Sequence, residues 1–338
     1  MEVARRQPSI RSVAALAGVS HQTVSRVLNG HPSIRPATRA RVLEVIGELN
    51  YRPNGVARAL ATRKSRRIGV LVDSPVEYGP NSTLRAVESA ARVAGYSVSA
   101  ITIDEDRSLS PQPALEHLVS QGIDALCVVA PRSSSVVLLR ELSSDVPTLV
   151  VKAAPDPTFL TASVDQELGA AMAVRHLVDL GHREIMHLAG PLDWLDAAGR
   201  LRGWRREIRG SGLTERGAVA GDWTSDFGYA FGRSFDRLPD FTALFAANDQ
   251  MALGVIHGFS ERGIRVPDDV SVIGFDDVPD ARHFLPPLST IRQDFRALGE
   301  RAVQMLLGAL EGRDIERRSV TPPELIVRDS TAAPRRSA

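Results

Sequence analysis

The chain has 338 residues, 43% of them hydrophobic, 24% charged and 5% aromatic, with a net charge of +1. This is the composition of an ordinary globular protein of two or three domains, and it excludes a collagen, a disordered chain and a disulfide scaffold. A lone cysteine, Cys127, rules out a disulfide within the chain, and no apolar run nears the ~18 residues of a membrane helix, so a cytoplasmic protein without membrane contact is expected.

The charge is unevenly divided. Residues 1–67 carry 13 basic residues against three acids, Glu2, Glu44 and Glu48, a net of +10 that leaves −9 for the remainder. A basic head on an acidic body points to nucleic-acid contact by the head; a solubilising basic arm is the plain alternative. At the N-terminus the absence of a long apolar stretch argues against a secretion signal.

In chain order, Ile10, Val13, Ala14 and Ala17 fall at helical spacing. Gly18 permits a tight turn and Val19 plugs the small core. Ser20 is an N-cap for a second helix, His21 to Leu28, with Val24, Val27 and Leu28 inward and His21, Gln22, Ser25 and Arg26 outward. Asn29-Gly30 ends it. Arg35-Pro36 opens a third helix through Leu49, with Val42, Val45, Ile46 and Leu49 on one face. A helix, a short turn and an outward polar helix form the helix-turn-helix layout, whose second helix enters the major groove. There Gln pairs with adenine and Arg with guanine. A generic three-helix cap is the competing reading. Residues 54–61, NGVARALA, followed by the Arg-rich TRKSRR, form a short helix that is marginal alone in water.

Beyond residue 67 apolar runs alternate with helical stretches. Strands are expected at 67–73, 97–103, 124–130, 148–152, 184–190, 242–249 and 270–277, and helices at 83–95, 165–181, 200–211 and 249–263 among others. Continuously apolar strands separated by helices imply parallel sheets covered on both faces, here two open α/β units. Ligands of such sheets sit beyond the strand C-termini, where Asp73, Lys152, Asn248, Asp249, Asp276 and Asp277 collect. The closing STAAPRRSA reads as a disordered end.

Several segments carry a family resemblance. VAALAGVS, TVSRVLN, LNYRPN and ARAL in the head, and HLVDLGHREIMHLAGPL, RLRGW, AANDQMALG and PPLSTIRQDF in the body, resemble the lactose/galactose repressor (LacI/GalR) family of transcriptional regulators along almost the whole chain. The resemblance implies an all-α helix-turn-helix head with a hinge helix. It also implies a periplasmic-binding-protein-like α/β core of two doubly wound parallel-sheet subdomains joined by three crossing strands. The implied bounds are 1–52 for the head, 53–66 for the hinge and linker, and 67–332 for the core. Within the core, one subdomain is 67–164 plus 293–322 and the other 165–292 plus 323–331, with a tail at 333–338. His21, Gln22 and Arg26 would read bases of double-stranded operator DNA, with Ser20, Thr23 and Ser25 near phosphates or merely capping and packing their helix. Asn54, Ala57 and Leu60 would serve the minor-groove hinge, Leu60 as a wedge that opens a base step.

The resemblance further implies a sugar effector held by Asp73, Arg200, Trp223, Asn248, Asp276, Gln293 and Phe295. Asp249 and Asp277 are as readily structural caps. Trp204 belongs to the core, and Trp194 either lines the cleft mouth or covers a helix. In wording the core stands nearest the family's lactose-responsive member, but His21, Lys152 and Val129 depart from it. That member's C-terminal leucine heptads are missing, so a homodimer is expected. A co-repressor such as a purine, or no effector, is the alternative to a sugar inducer. No P-loop, G-x-S-x-G, H-E-x-x-H or Rossmann glycine fingerprint is present, so neither an enzyme nor a cofactor or metal site is expected.

Overall fold

The computed structural model describes residues 8–28, 31–51, 64–73, 77–103, 111–129, 132, 139–140, 146–152 and 156–335. Contacts divide the chain into two units, Met1–Ser65 and Arg66–Ala338.

The first unit holds α1 (Ile10–Ala17), α2 (His21–Leu28) and α3 (Pro36–Glu48). Ser9 caps α1, its Oγ accepting from the Ser12 amide at 3.2 Å. Gly18 stops the helix at φ +63, a left-handed conformation that costs a side-chain-bearing residue energy. Val13, Ala14, Ala17, Val24, Val27, Val42 and Val45 are buried together, with Val19 and Leu28 packed against them. One small apolar core thus fixes three short helices, none of which is long enough to be stable alone.

The second unit is built on two parallel sheets. The larger has six strands in the order β11-β5-β4-β3-β1-β2, from β1 (Arg67–Asp73), β2 (Ser97–Ile103), β3 (Ala125–Val129), β4 (Thr148–Val151), β5 (Leu160–Val164) and β11 (Arg318–Thr321). Ile68, Val70 and Val72 of β1 face α4 (Tyr78–Val93) and α10 (Phe295–Leu310), whereas Leu71 faces the layer containing α5 (Pro111–Ser120). The period-two alternation of strand side chains therefore feeds two apolar layers, which is why β1, β3 and β4 read as almost unbroken apolar runs.

The smaller sheet has the order β7-β6-β8-β9, from β6 (Ile185–Ala189), β7 (Ala218–Ala220), β8 (Ala243–Ala246) and β9 (Ser271–Ile273). One face is covered by α6 (Gln166–Asp179) and α7 (Leu195–Gly210), the other by α8 (Ser225–Arg233) and α9 (Asp249–Glu261). A 3-10 turn follows at Pro279–His283. An antiparallel pair, β10 (Thr290–Arg292) with β12 (Glu324–Ile326), follows on from the smaller sheet, which it meets through the bridges Ile273–Ser289 and Asp276–Arg292. The chain passes from sheet to sheet at 164–166, 292–295 and 321–324.

The end of the chain differs from expectation. Ser330 is fully buried, its hydroxyl donating to Val272 O at 2.6 Å. The Ala332 amide donates to Ser271 Oγ at 3.0 Å, and His182 Nε2 lies 2.8 Å from Ala332 O. STAAPRRSA begins as a docked segment because small polar side chains and backbone groups match one another there, which composition alone does not reveal.

Candidate functional site

In the head, His21, Gln22 and Arg26 are exposed on α2, on the side away from Val24 and Val27. Ser20 Oγ accepts from the Thr23 amide at 3.1 Å and lies 3.0 Å from Thr23 Oγ1, so both residues serve the N-cap. Ser25 is half-buried. The hinge residues Asn54, Ala57 and Leu60 lie outside the described residues. The α2 surface thus offers an imidazole, a carboxamide and a guanidinium on a rigid element, held by a core that uses none of them.

In the second unit a cleft, partly open to solvent, lies beyond the carboxyl ends of both sheets. Val129, Val151, Lys152 and Val164 wall it from the larger sheet, and Arg200, Trp223, Asn248 and Asp276 from the smaller. Gln293 and Phe295 reach it from the second crossing. Such crevices are where α/β sheets hold ligands, because loops leaving the strand ends diverge there.

Four buried side chains close a hydrogen-bond ring in the cleft. Arg200 Nε donates to Gln166 Oε1 at 2.8 Å, and Gln166 Nε2 donates to Gln293 Oε1 at 2.9 Å. Gln293 Nε2 donates to Asp276 Oδ1 at 2.6 Å, and Arg200 Nη2 reaches the same oxygen at 3.5 Å. Arg200 Nη1 also donates to Ala247 O, and the guanidinium lies 3.8 Å from the Phe275 ring centroid. Burial pushes the Asp276 carboxyl up to about 6, although Arg200 and Gln293 pull it down. Its Oδ2 has no hydrogen-bond donor among the described residues and remains for a ligand.

Trp223 is held at φ +73, and its ring packs directly over Gly190. A Cβ on Gly190 would stand 2.3 Å from a Trp223 ring atom, so only glycine admits the indole there. Trp194 meets Trp223 edge-on, 5.7 Å between centroids, and lines the cleft, whereas Trp204 is fully buried in the core. Phe295 is half-buried and meets Tyr78 edge-on at 5.8 Å.

Asn248 is less free than expected. Its Oδ1 accepts from the Met251 amide at 2.9 Å, capping α9, and its Nδ2 donates to Trp223 O at 2.9 Å. One N–H and one lone pair are left for a ligand. Asp73 stands apart from the cleft wall: its carboxylate is 3.6 Å from Arg132, which also lies 3.8 Å from Asp193. Asp249 is fully buried and accepts from Thr290 Oγ1 at 2.6 Å and the Val278 amide at 2.8 Å; burial holds its carboxyl well above the usual range. Asp277 is paired with Arg328 at 2.6 Å and Arg292 at 2.7 Å. Burial pushes its carboxyl up, but the two guanidiniums outweigh that and leave it lowered. Both aspartates tie the chain together and are absent from the cleft wall.

Gln166, Glu77 and Asp196 line the cleft without having been singled out in the sequence. Gln166 carries a usable signal, since it opens a helix directly after a strand, VDQ, but the polar Thr161 and Ser163 mask that strand. Among the described residues, no helix is long and apolar enough to cross a membrane, and no cluster of three or more potential metal ligands occurs.

Comparison with known proteins agrees with this architecture. The profile of "Bacterial regulatory proteins, lacI family" matches residues 9–54, and that of "Periplasmic binding protein-like domain" matches residues 174–331. The lactose operon repressor of Escherichia coli strain K12 is 35% identical over 330 residues, spanning 96% of this chain and 91% of that relative. The HTH-type transcriptional repressor PurR of Photobacterium profundum is 32% identical over 328 residues, 95% of this chain and 98% of that relative. Among solved structures, a lac repressor dimer bound to operator and the anti-inducer ONPF superposes with a TM-score of 0.86 at 33% identity, covering 97% of this chain and all of that one.

Proposed function

The chain belongs to the lacI family of bacterial regulatory proteins, DNA-binding transcriptional repressors, and on that footing we propose that a sugar or glycoside in the cleft releases it from a pseudo-palindromic operator. The ring of Arg200, Gln166, Gln293 and Asp276 beside the indole of Trp223 carries the ligand class. A sugar hydroxyl both donates and accepts, and each buried hydrogen bond left unmade costs about 1–3 kcal/mol. Asp276 Oδ2 accepts, and the spare amide hydrogen and lone pair of Asn248 serve one hydroxyl each way. The Trp223 face covers the C–H face of a pyranose. Phe295 completes the apolar wall.

In this reading His21, Gln22 and Arg26 contact base edges, Ser20, Thr23 and Ser25 sit at the DNA backbone, and Asn54, Ala57 and Leu60 serve the minor groove. Residues 1–52 form the reading head, 53–66 the hinge and 67–332 the effector core. Two copies place two heads on half-sites related by a two-fold axis, as symmetric operators require. Release requires that the effector favour one arrangement of the core over the other, since a ligand with equal affinity for both shifts nothing.

The second reading, a co-repressor that tightens DNA binding, is favoured by the resemblance to PurR, which extends over 98% of that relative at almost the same identity. A melting panel separates the ligand classes: galactose, lactose, allolactose and cellobiose against purines. A ligand at about 100 times its Kd stabilises by about 2.7 kcal/mol, a shift of several degrees for a core of this size at ~2–4 °C per kcal/mol. A shift with a sugar supports the sugar reading. A shift with purines alone overturns it.

A further inference from the structure

We propose that Lys152 sets effector specificity, its ammonium receiving an anionic, acceptor-only group at the end of the ligand remote from Asp276. The inference rests on reading the cleft as the effector site. Lys152 is one of only two lysines in the chain, against 39 arginines. Its side chain is 5% exposed and lines the cleft where β4 ends. Its Nζ donates to Asp156 Oδ2 at 2.6 Å.

Asp156 has no capacity left. Its Oδ2 also accepts from Arg140 at 2.7 Å, and its Oδ1 from the amides of Thr158 and Phe159 at 2.8 and 3.2 Å. One carboxylate is thus shared by two cations and two amides. An ammonium carries three donors, and Asp156 is its one hydrogen-bond partner among the described residues, so two N–H groups remain for a ligand.

The surroundings select the kind of ligand atom. Val129, Val151 and Val164 wall this part of the cleft and offer side chains that neither donate nor accept; Ser163 adds one hydroxyl. A sugar hydroxyl placed here gains a donor but finds little to accept its own proton. A carboxylate or phosphate oxygen only accepts, and it also meets a cation whose counter-charge is divided. The other cation of the cleft wall is already committed: Arg200 donates to Gln166, Ala247 and Asp276. Asp276 and Asp196 lie near each other at that end and repel an anion. Glu77 also lines the cleft, and it has an interaction of its own within the chain. The cleft is therefore polarised, with polyol chemistry at one end and anion chemistry at the other. The ligand class is an acidic saccharide: a uronic acid unit or a sugar phosphate.

The test uses the full chain and calorimetric titration with matched probes: galactose and glucose, galacturonate and glucuronate, and galactose 6-phosphate and glucose 6-phosphate. At least one acidic probe is expected to bind roughly tenfold or more tighter than its neutral parent, a ratio worth about 1.4 kcal/mol. Preference for the uronate identifies a carboxylate, and preference for the ester a phosphate. Lys152→Met should cancel that preference, and Lys152→Arg should restore part of it. Should Lys152→Met fold poorly, the ratio of acid to neutral affinity in the unaltered protein decides alone. Neutral sugars binding as well as their acids overturn the Lys152 assignment and leave the sugar reading intact. Binding of neither kind overturns both.

Discussion

Replacing Arg200 by methionine tests the electrostatics of the cleft quantitatively. The aliphatic stem over Phe275 is kept, while Gln166 Oε1, Ala247 O and Asp276 Oδ1 each lose a donor. The two neutral acceptors contribute about 1 kcal/mol each. The ionic part has a ceiling that the structure sets. With the Asp276 carboxyl at about 6, its ionised form at pH 7 lies only about 1 kcal/mol below its neutral form. Once the guanidinium is gone the carboxyl takes up a proton, so no more than that is lost at pH 7; at pH 8 the ceiling is about 3 kcal/mol, and below pH 6 it vanishes. The sign follows from a folded value raised above the unfolded 3.8. In the unaltered protein, stability falls as pH rises from the unfolded value through about 6 and is then level with respect to this group. In the variant the fall continues to higher pH, because only the Gln293 hydrogen bond is left to offset burial. The gap between the two proteins is therefore about 2 kcal/mol near pH 5.5 and about 3–4 kcal/mol at pH 7. Trp194, Trp204 and Trp223 all lie in the second unit, so urea unfolding followed by tryptophan fluorescence reports that unit alone. A gap that does not change with pH, or one whose pH dependence survives in an Asp276→Asn background, refutes the pairing argument.

Arg26→Ala is expected to lose about 1–3 kcal/mol of discrimination between a selected operator and random DNA, with the salt-dependent non-specific binding retained; fluorescence anisotropy against both DNAs measures it, and unchanged discrimination removes Arg26 from the base-reading set. Gly190→Ala drives a Cβ to 2.3 Å from the Trp223 ring, an overpacking that costs about 1–3 kcal/mol and pushes the indole into the cleft. Effector binding should be lost with DNA binding intact, and normal calorimetric binding by that variant would show that the ring position is not needed. Hydroxyls that donate to the Asp276 carboxylate favour its ionised form, so effector affinity should fall as pH drops through about 6, by up to about tenfold per pH unit; titrations at constant affinity across that range would deny Asp276 its acceptor role.

The parts of the fold legible in the sequence are those with local signals. The end of α1 and the start of α2 are readable because Gly18 and Ser20 are a turn and a cap whose chemistry is fixed by residue type. Strands β1, β3 and β4 are readable because both faces of the larger sheet are covered there, leaving RIGVLVD and ALCVV almost wholly apolar. By contrast β5, LTASV, is buried at every position yet carries Thr161 and Ser163, and its polar atoms conceal it. Strands β10 and β12 are three residues each and pair across more than thirty positions of chain, so no periodicity announces them. Six of the seven residues assigned to the effector line the cleft, and that assignment came from family resemblance rather than from spacing. Asp73 does occupy the end of a strand, as position alone suggested, but Arg132, distant in sequence, lies beside its carboxylate. Asn248 lies where expected, yet much of its hydrogen-bonding capacity goes to capping α9, a demand visible only once the helix is in place.

The central claim, that a ligand in the cleft releases DNA, is tested most directly by one titration. A duplex selected from a random library is bound to the protein, and its affinity is measured with and without the saccharide that raises the melting temperature. Inducer action predicts affinity for that duplex weakened by about 5–150-fold, the usual span of coupling between two sites, with binding to random DNA unchanged. Affinity that is unchanged, or that tightens with the ligand, contradicts release.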